Sequence, residues 1–299
     1  MIGSYLGEFA ALAAALAWAV ASLLFRRAGT SVPPLVLNLY KGLLAAVVLS
    51  AVLLLGPGFP QGIATGDWAI LLASGAIGIG IGDTAFFAAL NRLGERRTVL
   101  MAETLAPPMA AGLAIFVLAE FLGPLALVGI ALTLGGVAWV TIEETPTSQT
   151  TSPRNRAAGV ALGVLAALCQ AVGGVLSRLV LVETEAGPLA SAVVRITGGV
   201  AMLLIWMPAV GQAYLPGALC AWRPWRVILP ATLLGTVLGI FLQQTAFAHT
   251  EAGIAQTLLA TSSLFILPLV MLRGERVSLR AIVGAALAVI GIALFFAVE

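Results

Sequence analysis

Three ionisable side chains in the first half of the chain, Lys41, Asp83 and Glu103, fall inside separate apolar stretches. At about 1.5 Å of rise per helical residue, all three lie roughly 8 to 10 Å from the same side of a membrane. Charged groups at such depth are costly and usually serve a function, so we expect one cluster. It is either a structural ion pair or a site for protonation or gating. In the third alternative, one or more of these side chains extend to the membrane–water interface.

The second half of the chain carries a different set of charges. When the two halves are aligned, Arg195 falls on Lys41, but no carboxylate remains at the depth of Asp83. An arginine without an internal carboxylate can bind a substrate carboxylate through two hydrogen bonds. Alternatively, backbone carbonyls, Gln243, Gln244 or a loop glutamate satisfy the guanidinium.

An aromatic side chain is expected near the middle of the bilayer. Trp18 lies about 20 Å into the first helix, and its counterpart in the second half is Gln170. Together they would give a central cavity an apolar wall and one polar group, which suits a solute with a flat or apolar side chain. Simple helix packing is the alternative for Trp18.

Prolines predict interruptions in the fourth and ninth apolar stretches, at Pro107, Pro108 and Pro268. A proline removes a backbone donor and kinks a helix, which leaves carbonyls that could line a site. Thr257 and Thr261 would add hydroxyl groups, although most such hydroxyls bond to their own backbone. The candidate substrate-binding or gating residues are therefore Trp18, Lys41, Asp83, Glu103, Gln170, Arg195, Gln243, Gln244, Thr257 and Thr261.

Metal and enzyme chemistry lack suitable residues. The chain has two cysteines, Cys169 and Cys220, and one histidine, His249. A structural zinc site needs about four Cys or His ligands, so we expect no metal and no cofactor. An intramembrane enzyme would need a nucleophile and a base at one depth, and we assign no catalytic residue.

The composition places these residues in a membrane. Of 299 residues, 61% are apolar and 9% are charged, against about 25% charged in ordinary globular chains. This excludes a soluble enzyme, a nucleic-acid partner and a disordered chain. Apolar stretches of about 20 residues without alternation predict an all-α membrane protein with ten transmembrane helices. The stretches are 5–25, 34–55, 68–90, 97–118, 124–142, 157–181, 188–207, 226–247, 253–272 and 280–298.

The chain reads as two five-helix repeats, 1–142 and 157–299, joined by a polar linker, 143–156. Segment 7–26 aligns with 159–178, and further matches follow in order. They pair Lys41 with Arg195, Trp68 with Trp225, Gly78 with Gly235, Gly82 with Gly239, Glu120 with Glu275, Gly129 with Gly284, and Gly136 with Gly291. An odd number of helices per repeat inverts the second one, which is typical of transporters with a site between the halves and alternating access.

The basic residues predict the orientation. Of fifteen Lys and Arg residues, twelve lie in or beside alternate loops, and the opposite loops contain none. The twelve are Arg26, Arg27, Arg92, Arg96, Arg97, Arg154, Arg156, Arg223, Arg226, Arg273, Arg276 and Arg280. Because such loops stay in the cytoplasm, we expect a multi-pass protein of a bacterial-type inner (plasma) membrane with both termini on the non-cytoplasmic side.

Several short motifs stand in the helices of the two halves. They are Ala15-Leu16-Ala17-Trp18, Lys41 or Arg195, Ala89-Leu90, Pro107 or Pro108, Gly274-Glu275 with Gly284, and Ala119-Glu120 with Gly129. In these residues the chain resembles the EamA branch of the drug/metabolite transporter (DMT) superfamily. The resemblance implies ten helices and transport of small organic solutes, with amino-acid exporters of the YddG type among the nearest candidates. Family members are often drawn with cytoplasmic termini, and the arginine distribution here departs from that drawing.

The resulting hypothesis is a membrane exporter of small amphiphilic metabolites, first of all amino acids with aromatic or other neutral side chains. A broad-specificity drug exporter or a metabolite exchanger of the same superfamily is the alternative. Many cationic groups in the cavity would favour the exchanger, and only Lys41 and Arg195 qualify. We expect a small-molecule substrate, a lipid bilayer around the protein and a functional monomer, and proton coupling stays open.

Overall fold

The computed structural model describes residues 5–28, 33–93, 95–141, 153–214, 222–271 and 278–295. Within these ranges all regular secondary structure is helical, and no strand occurs. The helices are α1 Leu6–Ala28, α2 Pro34–Leu55, α3 Thr65–Gly75, α4 Asp83–Leu93, α5 Glu95–Leu118, α6 Pro124–Thr141, α7 Pro153–Glu183, α8 Pro188–Ala209, α9 Trp222–Thr232, α10 Gly239–His249, α11 Ala252–Ala260, α12 Ser262–Met271 and α13 Leu279–Phe295. A first π segment, Ala76–Gly82, joins α3 to α4, and a second π segment, Leu233–Leu238, joins α9 to α10.

Six described helical stretches are long and apolar enough to cross a membrane. They are Leu35–Leu55, Thr65–Phe86, Met101–Leu118, Arg154–Glu183, Pro188–Ala209 and Pro224–His249. Shorter apolar helices occupy the other predicted positions, at Leu6–Ser22, Pro124–Trp139, Ala252–Phe265 and Ile282–Phe295. The all-helical membrane class is therefore confirmed, and ten complete crossings stay a prediction.

The third and eighth stretches are not the regular α-helices that the sequence predicts. Each contains a π-helical segment of six or seven residues near its middle. In the first of these, Gly80 packs directly on α8, where a Cβ atom would lie 2.5 Å from Met202. The apolar pattern gives no sign of this change in helical period. Such segments inside α-helices are frequent at functional sites.

The prolines do not break the helices that contain them. Helix α5 continues through Pro107 and Pro108, and α12 continues through Pro268. A proline removes only its own N–H donor, and packing by neighbouring helices can hold the segment together. The ninth stretch is instead broken at Thr261, whose backbone N–H and side-chain hydroxyl both bond to the Leu258 carbonyl.

The connection between the repeats differs from the predicted linker 143–156. Helix α7 already begins at Pro153, so that Arg154 and Arg156 lie in its first turn. Proline is favoured at a helix start because the donor it lacks would have no partner there. The rest of the linker, residues 143–152, lies outside the described residues.

The two halves meet closely along α6 and α13, a contact that we call the glycine seam. A Cβ on Gly129 would lie 3.0 Å from the Gly291 carbonyl oxygen, and a Cβ on Gly136 would lie 2.9 Å from the Ala288 Cβ, beside Gly284. The earlier glycine of α6 meets the later glycine of α13, so the helices are antiparallel. Equivalent helices that run antiparallel are what an inverted repeat requires.

The first helix of each repeat also packs against helices of the other repeat. Helix α1 packs against α9, the second π segment and α10. Its repeat counterpart α7 packs against α3, the first π segment and α4. Between these pairs, α2 and α8 share a buried apolar cluster, which includes Leu39, Leu49, Leu203 and Met207. Each half therefore completes the core of the other.

Two opposite faces of the bundle can be distinguished. At the terminal face, where α1 begins and α13 ends, Gly7 lies against Thr250 and Gly253 lies against Leu122. At the arginine face, where α1 ends and α13 begins, Gly159 lies against Arg92. There the Arg280 guanidinium also stacks 5.2 Å above the Trp139 ring.

Candidate functional site

A cavity of about 410 Å³ lies between the two halves. Close to the arginine face it is lined by residues of α1, among them Trp18 and Ser22, and of α2, among them Asn38 and Lys41. Parts of both π segments also line it. Its floor, near the middle of the bundle, is formed by Gln170, Arg195 and Gln243. This volume is typical of small-molecule sites, which have mostly apolar walls and a few polar groups.

The charges predicted to cluster all line this cavity, but they do not form one network. The Lys41 ammonium lies 3.7 Å from an Asp83 carboxylate oxygen, with 23% and 29% of the two side chains exposed. Glu103 instead accepts a hydrogen bond of 3.3 Å from Ser262, because its side chain faces α12 rather than α2. The structure therefore has an ion pair and a separate carboxylate in the same cavity.

Arg195 is buried in the cavity floor, with 1% of its surface exposed. Its Nη1 donates to the Gln243 amide oxygen at 3.3 Å. Gln243 was one of the partners that the sequence predicted for this guanidinium. The other terminal nitrogen fits above Gly78 and Gly173, where added Cβ atoms would lie 3.1 and 3.3 Å away. No described carboxylate forms a salt bridge with it. With five N–H donors, this guanidinium has the capacity to bind an anionic group.

Trp18 and Gln170, which stand at matching positions of the two repeats, both line the cavity. The Trp18 indole N–H donates to the Gly235 carbonyl at 2.8 Å, in the second π segment. The backbone oxygen of Gln170 accepts a hydrogen bond of 3.2 Å from Gln256. Trp18 therefore both lines the cavity and packs against a neighbouring helix. The two alternatives given for this residue, a cavity wall and helix packing, both apply.

Three predicted site residues are not part of the described cavity wall: Gln244, Thr257 and Thr261. The Thr257 hydroxyl bonds to the Gly253 carbonyl at 2.7 Å, and the Thr261 hydroxyl bonds to the Leu258 carbonyl. Both groups are satisfied by their own chain segment, as is common in membrane helices. Gln244 is fully buried and accepts a hydrogen bond of 2.8 Å from Ser191.

An ion pair that the sequence did not predict closes the terminal face. Arg178 on α7 pairs with Glu120, which lies in the connection between α5 and α6. Arg178 also donates to the Phe247 carbonyl at 2.7 Å, and Glu120 accepts from the Ala252 N–H at 3.0 Å. We call these four residues the terminal lock. Beside it, the Thr250 hydroxyl donates to Glu8 at 2.6 Å.

The sequence held only a weak signal for the lock. Both charged residues stand at repeat-matched positions, but their pairing across 58 residues depends on the tertiary fold. Glu275, the sequence counterpart of Glu120, lies outside the described residues. Asn38 was also missed, although it stands one helical turn before Lys41 and lines the cavity beside Asp83.

An apolar helical bundle of two interlocked repeats around a charged central cavity defines an integral membrane protein of the transporter class. The family model described as the EamA-like transporter family matches residues 5–142 and again residues 157–297. The chain therefore belongs to the EamA-like transporter family of the DMT superfamily, whose members are transporters rather than enzymes.

Structural comparison agrees with this assignment at the level of the fold. One solved crystal structure covers 97% of this chain with 96% of its own length, at a TM-score of 0.78 and 16% sequence identity. Among curated protein sequences, none matches this chain. The family and superfamily expected from the sequence are thus confirmed, and the YddG-type subgroup stays a prediction.

Proposed function

We propose that this protein exports small zwitterionic metabolites across the plasma membrane, with amino acids that carry aromatic or other neutral side chains as the main cargo. Ten helices in two inverted repeats would move the cavity between the two sides by alternating access. The observation that carries the proposal is the presence of both charge signs in one cavity: Lys41 and Arg195 with Asp83 and Glu103.

A zwitterion needs a cationic and an anionic partner at once. Arg195 supplies a planar donor that matches a carboxylate, and its burial strengthens such a bond. Asp83 and Glu103 supply acceptors for an ammonium group. Trp18 and Phe86 line the same cavity and give an apolar side chain a place to pack. Two cations balanced by two carboxylates suit a solute with no net charge.

The position of the cavity supports export. If the arginine face is cytoplasmic, as the positive-inside rule predicts, most of the cavity lining lies in the cytoplasmic half of the bundle. Arg195 and Gln243 then form the end of the cavity nearer the terminal lock, which lies in the outer half. Cargo would then load from the cytoplasm. Cys220 belongs to a loop that this orientation places inside, so an impermeant maleimide should label it from the cytoplasmic side only. Labelling of Cys220 in intact cells would contradict the orientation.

The direct test is uptake of labelled Phe, Trp, Thr, Met and Leu into proteoliposomes, with and without a pH gradient. We expect flux of several of them, inhibited by neutral amino acids. Phenethylamine and 3-phenylpropionate each lack one of the two charges and should not inhibit. Val47→Ala, at a site with 67% exposure outside the cavity, is the control that should leave flux unchanged.

Each result of this experiment has a distinct meaning. Flux that needs the pH gradient would make Asp83 and Glu103 the proton-carrying candidates, whereas gradient-independent flux indicates a facilitative exporter. Inhibition by lipophilic cations would identify a drug exporter instead. A requirement for an anionic metabolite on the opposite side would identify an exchanger. No flux from folded protein would contradict the amino-acid proposal.

A further inference from the structure

The bundle between the cavity floor and the terminal face contains buried polar side chains that the cavity does not use. Ser74, Ser177, Ser191 and Gln244 are all fully buried, and they lie on α3, α7, α8 and α10. We call these four residues the polar column.

The residues of the polar column neighbour the cavity floor and the terminal lock along their helices. Ser191 lies one helical turn closer to the terminal face than Arg195, and Gln244 directly follows Gln243 of the floor. At the other end, Ser177 directly precedes Arg178 of the lock. The column therefore extends the line of the cavity towards the opposite side of the membrane.

The hydrogen bonds of the column run between helices. The Ser74 and Ser177 hydroxyls lie 2.8 Å apart, and Ser74 also bonds to the Gly173 carbonyl at 2.6 Å. Ser191 donates to Gln244 at 2.8 Å. The Gln244 amide nitrogen has no hydrogen-bond partner in the described part of the chain. In contrast to the Thr257 hydroxyl, these bonds separate when the helices move apart.

Helix packing alone does not require such residues. Burying a hydroxyl or an amide without a full set of partners costs about 1–3 kcal/mol, and apolar residues would fill the same space without that cost. Polar side chains that face the interior of a membrane bundle instead tend to mark the pathway of a solute or an ion. Small side chains also permit close helix contact, which is the structural alternative that the experiment must exclude.

We infer that the polar column lines the second half of the translocation path, closed in this state, and that the terminal lock is its gate. The inference rests on the proposed function and assigns further residues to it. When the lock opens, the helices separate at the terminal face, and the serine hydroxyls and the Gln244 amide become the polar groups that cargo meets after it leaves Arg195.

Cysteine accessibility tests this assignment on the full-length protein in proteoliposomes. Ser191→Cys and Ser177→Cys are introduced after Cys169 and Cys220 have been replaced by serine. A membrane-impermeant trimethylammonium methanethiosulfonate is then added from the terminal side. The matched control is Leu53→Cys, because Leu53 is equally buried near the terminal end of α2 but belongs to the apolar cluster.

Opening of the lock should expose the column and leave the control unchanged. In a Glu120→Gln background, we expect the modification rates at positions 191 and 177 to rise at least about tenfold, with no change at position 53. If position 53 also reacts faster, the Glu120→Gln protein has loosened as a whole. The three modification rates are then compared in an Arg178→Lys background, which keeps the positive charge. Rates at 191 and 177 that stay equal to the rate at 53 in both backgrounds overturn the assignment.

The same samples separate this inference from the proposed function. If the column is modified but no amino-acid flux is measured, the assignment of the column to the translocation path stands and the proposed cargo is wrong. If amino acids are transported but the column is as unreactive as position 53, the proposed function stands and the assignment of the column to the path is wrong.

Discussion

The two faces of the bundle hold their charged side chains in different ways. Near the arginine face, the Lys41–Asp83 pair is joined at 3.7 Å and about a quarter of each side chain is exposed to the cavity. At the terminal face, Arg178 and Glu120 are each 12% exposed and bind two further backbone groups. Loosely held charges can exchange their partner for a solute, whereas charges with several partners fasten helices together. From this comparison we propose recognition at one face and closure at the other.

Removal of Arg195, which lies between the two regions, should have the largest effect. Arg195→Ala deletes the donor of the cavity floor, and a charged hydrogen bond contributes about 1.5–3 kcal/mol. We therefore expect initial transport rates to fall by about 10- to 100-fold in proteoliposomes. Arg195→Lys keeps the charge but loses the planar donor set and should fall in between. Wild-type rates in both variants would remove Arg195 from the recognition region.

Loss of the terminal lock should appear mainly as lost stability. Glu120→Gln leaves a largely buried Arg178 without its counter-charge, and we expect a decrease of about 2–4 kcal/mol in the free energy of unfolding. The Glu120→Gln, Arg178→Gln double variant should recover part of the loss. Reversible unfolding in mixed micelles measures both. A single variant as stable as the wild type would show that the lock does not fasten the helices.

The Lys41–Asp83 pair should respond in the opposite manner, with a loss of transport and little loss of stability. Lys41→Met or Asp83→Asn alone leaves one charge unpaired in the cavity, and we expect transport to fall several-fold. Because the two residues are in contact, the double variant should differ from additivity by about 0.5–3 kcal/mol. Additive losses, or destabilisation equal to that of the lock variants, would erase the difference between the two faces.

The smallest effect is expected for a polar residue outside the column. Thr257→Val removes a hydroxyl that bonds to its own helix, and we expect transport within twofold of wild type and a stability change of about 1 kcal/mol or less. Ser191→Ala, also fully buried but bonded to another helix, should slow transport more. The paired assay measures both variants at equal protein content. The reverse order would place α11 rather than α8 along the path.

Much of the fold follows from the sequence because a bilayer constrains it strongly. The ends of α2 are marked by Pro33 before the helix, Pro34 at its first position and Gly56 after it. The π segments were not predicted, because a change of helical period inside an apolar stretch leaves its hydropathy unchanged. The break at Thr261 was also missed, since it depends on a local hydrogen bond rather than on proline.

The candidate site was predictable where a residue contrasts with its surroundings. Lys41, Asp83, Glu103 and Arg195 stand out in apolar helices, and all four line the cavity. Glu103 was nevertheless grouped with the wrong partner, because its depth is readable from the sequence but the direction of its side chain is not. The lock and the column could not be derived, since serine is common in membrane helices and its partners lie on other helices.

The glycine seam also bears on how the protein is made. It joins α6 to α13, so that residues near Gly129 must wait for residues near Gly291 to leave the ribosome. Contacts over so long a separation form late in folding. During synthesis, the first repeat enters the bilayer with the small-residue stripe of α6 uncovered, where it depends on lipid or on the insertion machinery until α13 has been synthesised. Truncated or stalled chains therefore leave a half that has no partner within the same molecule.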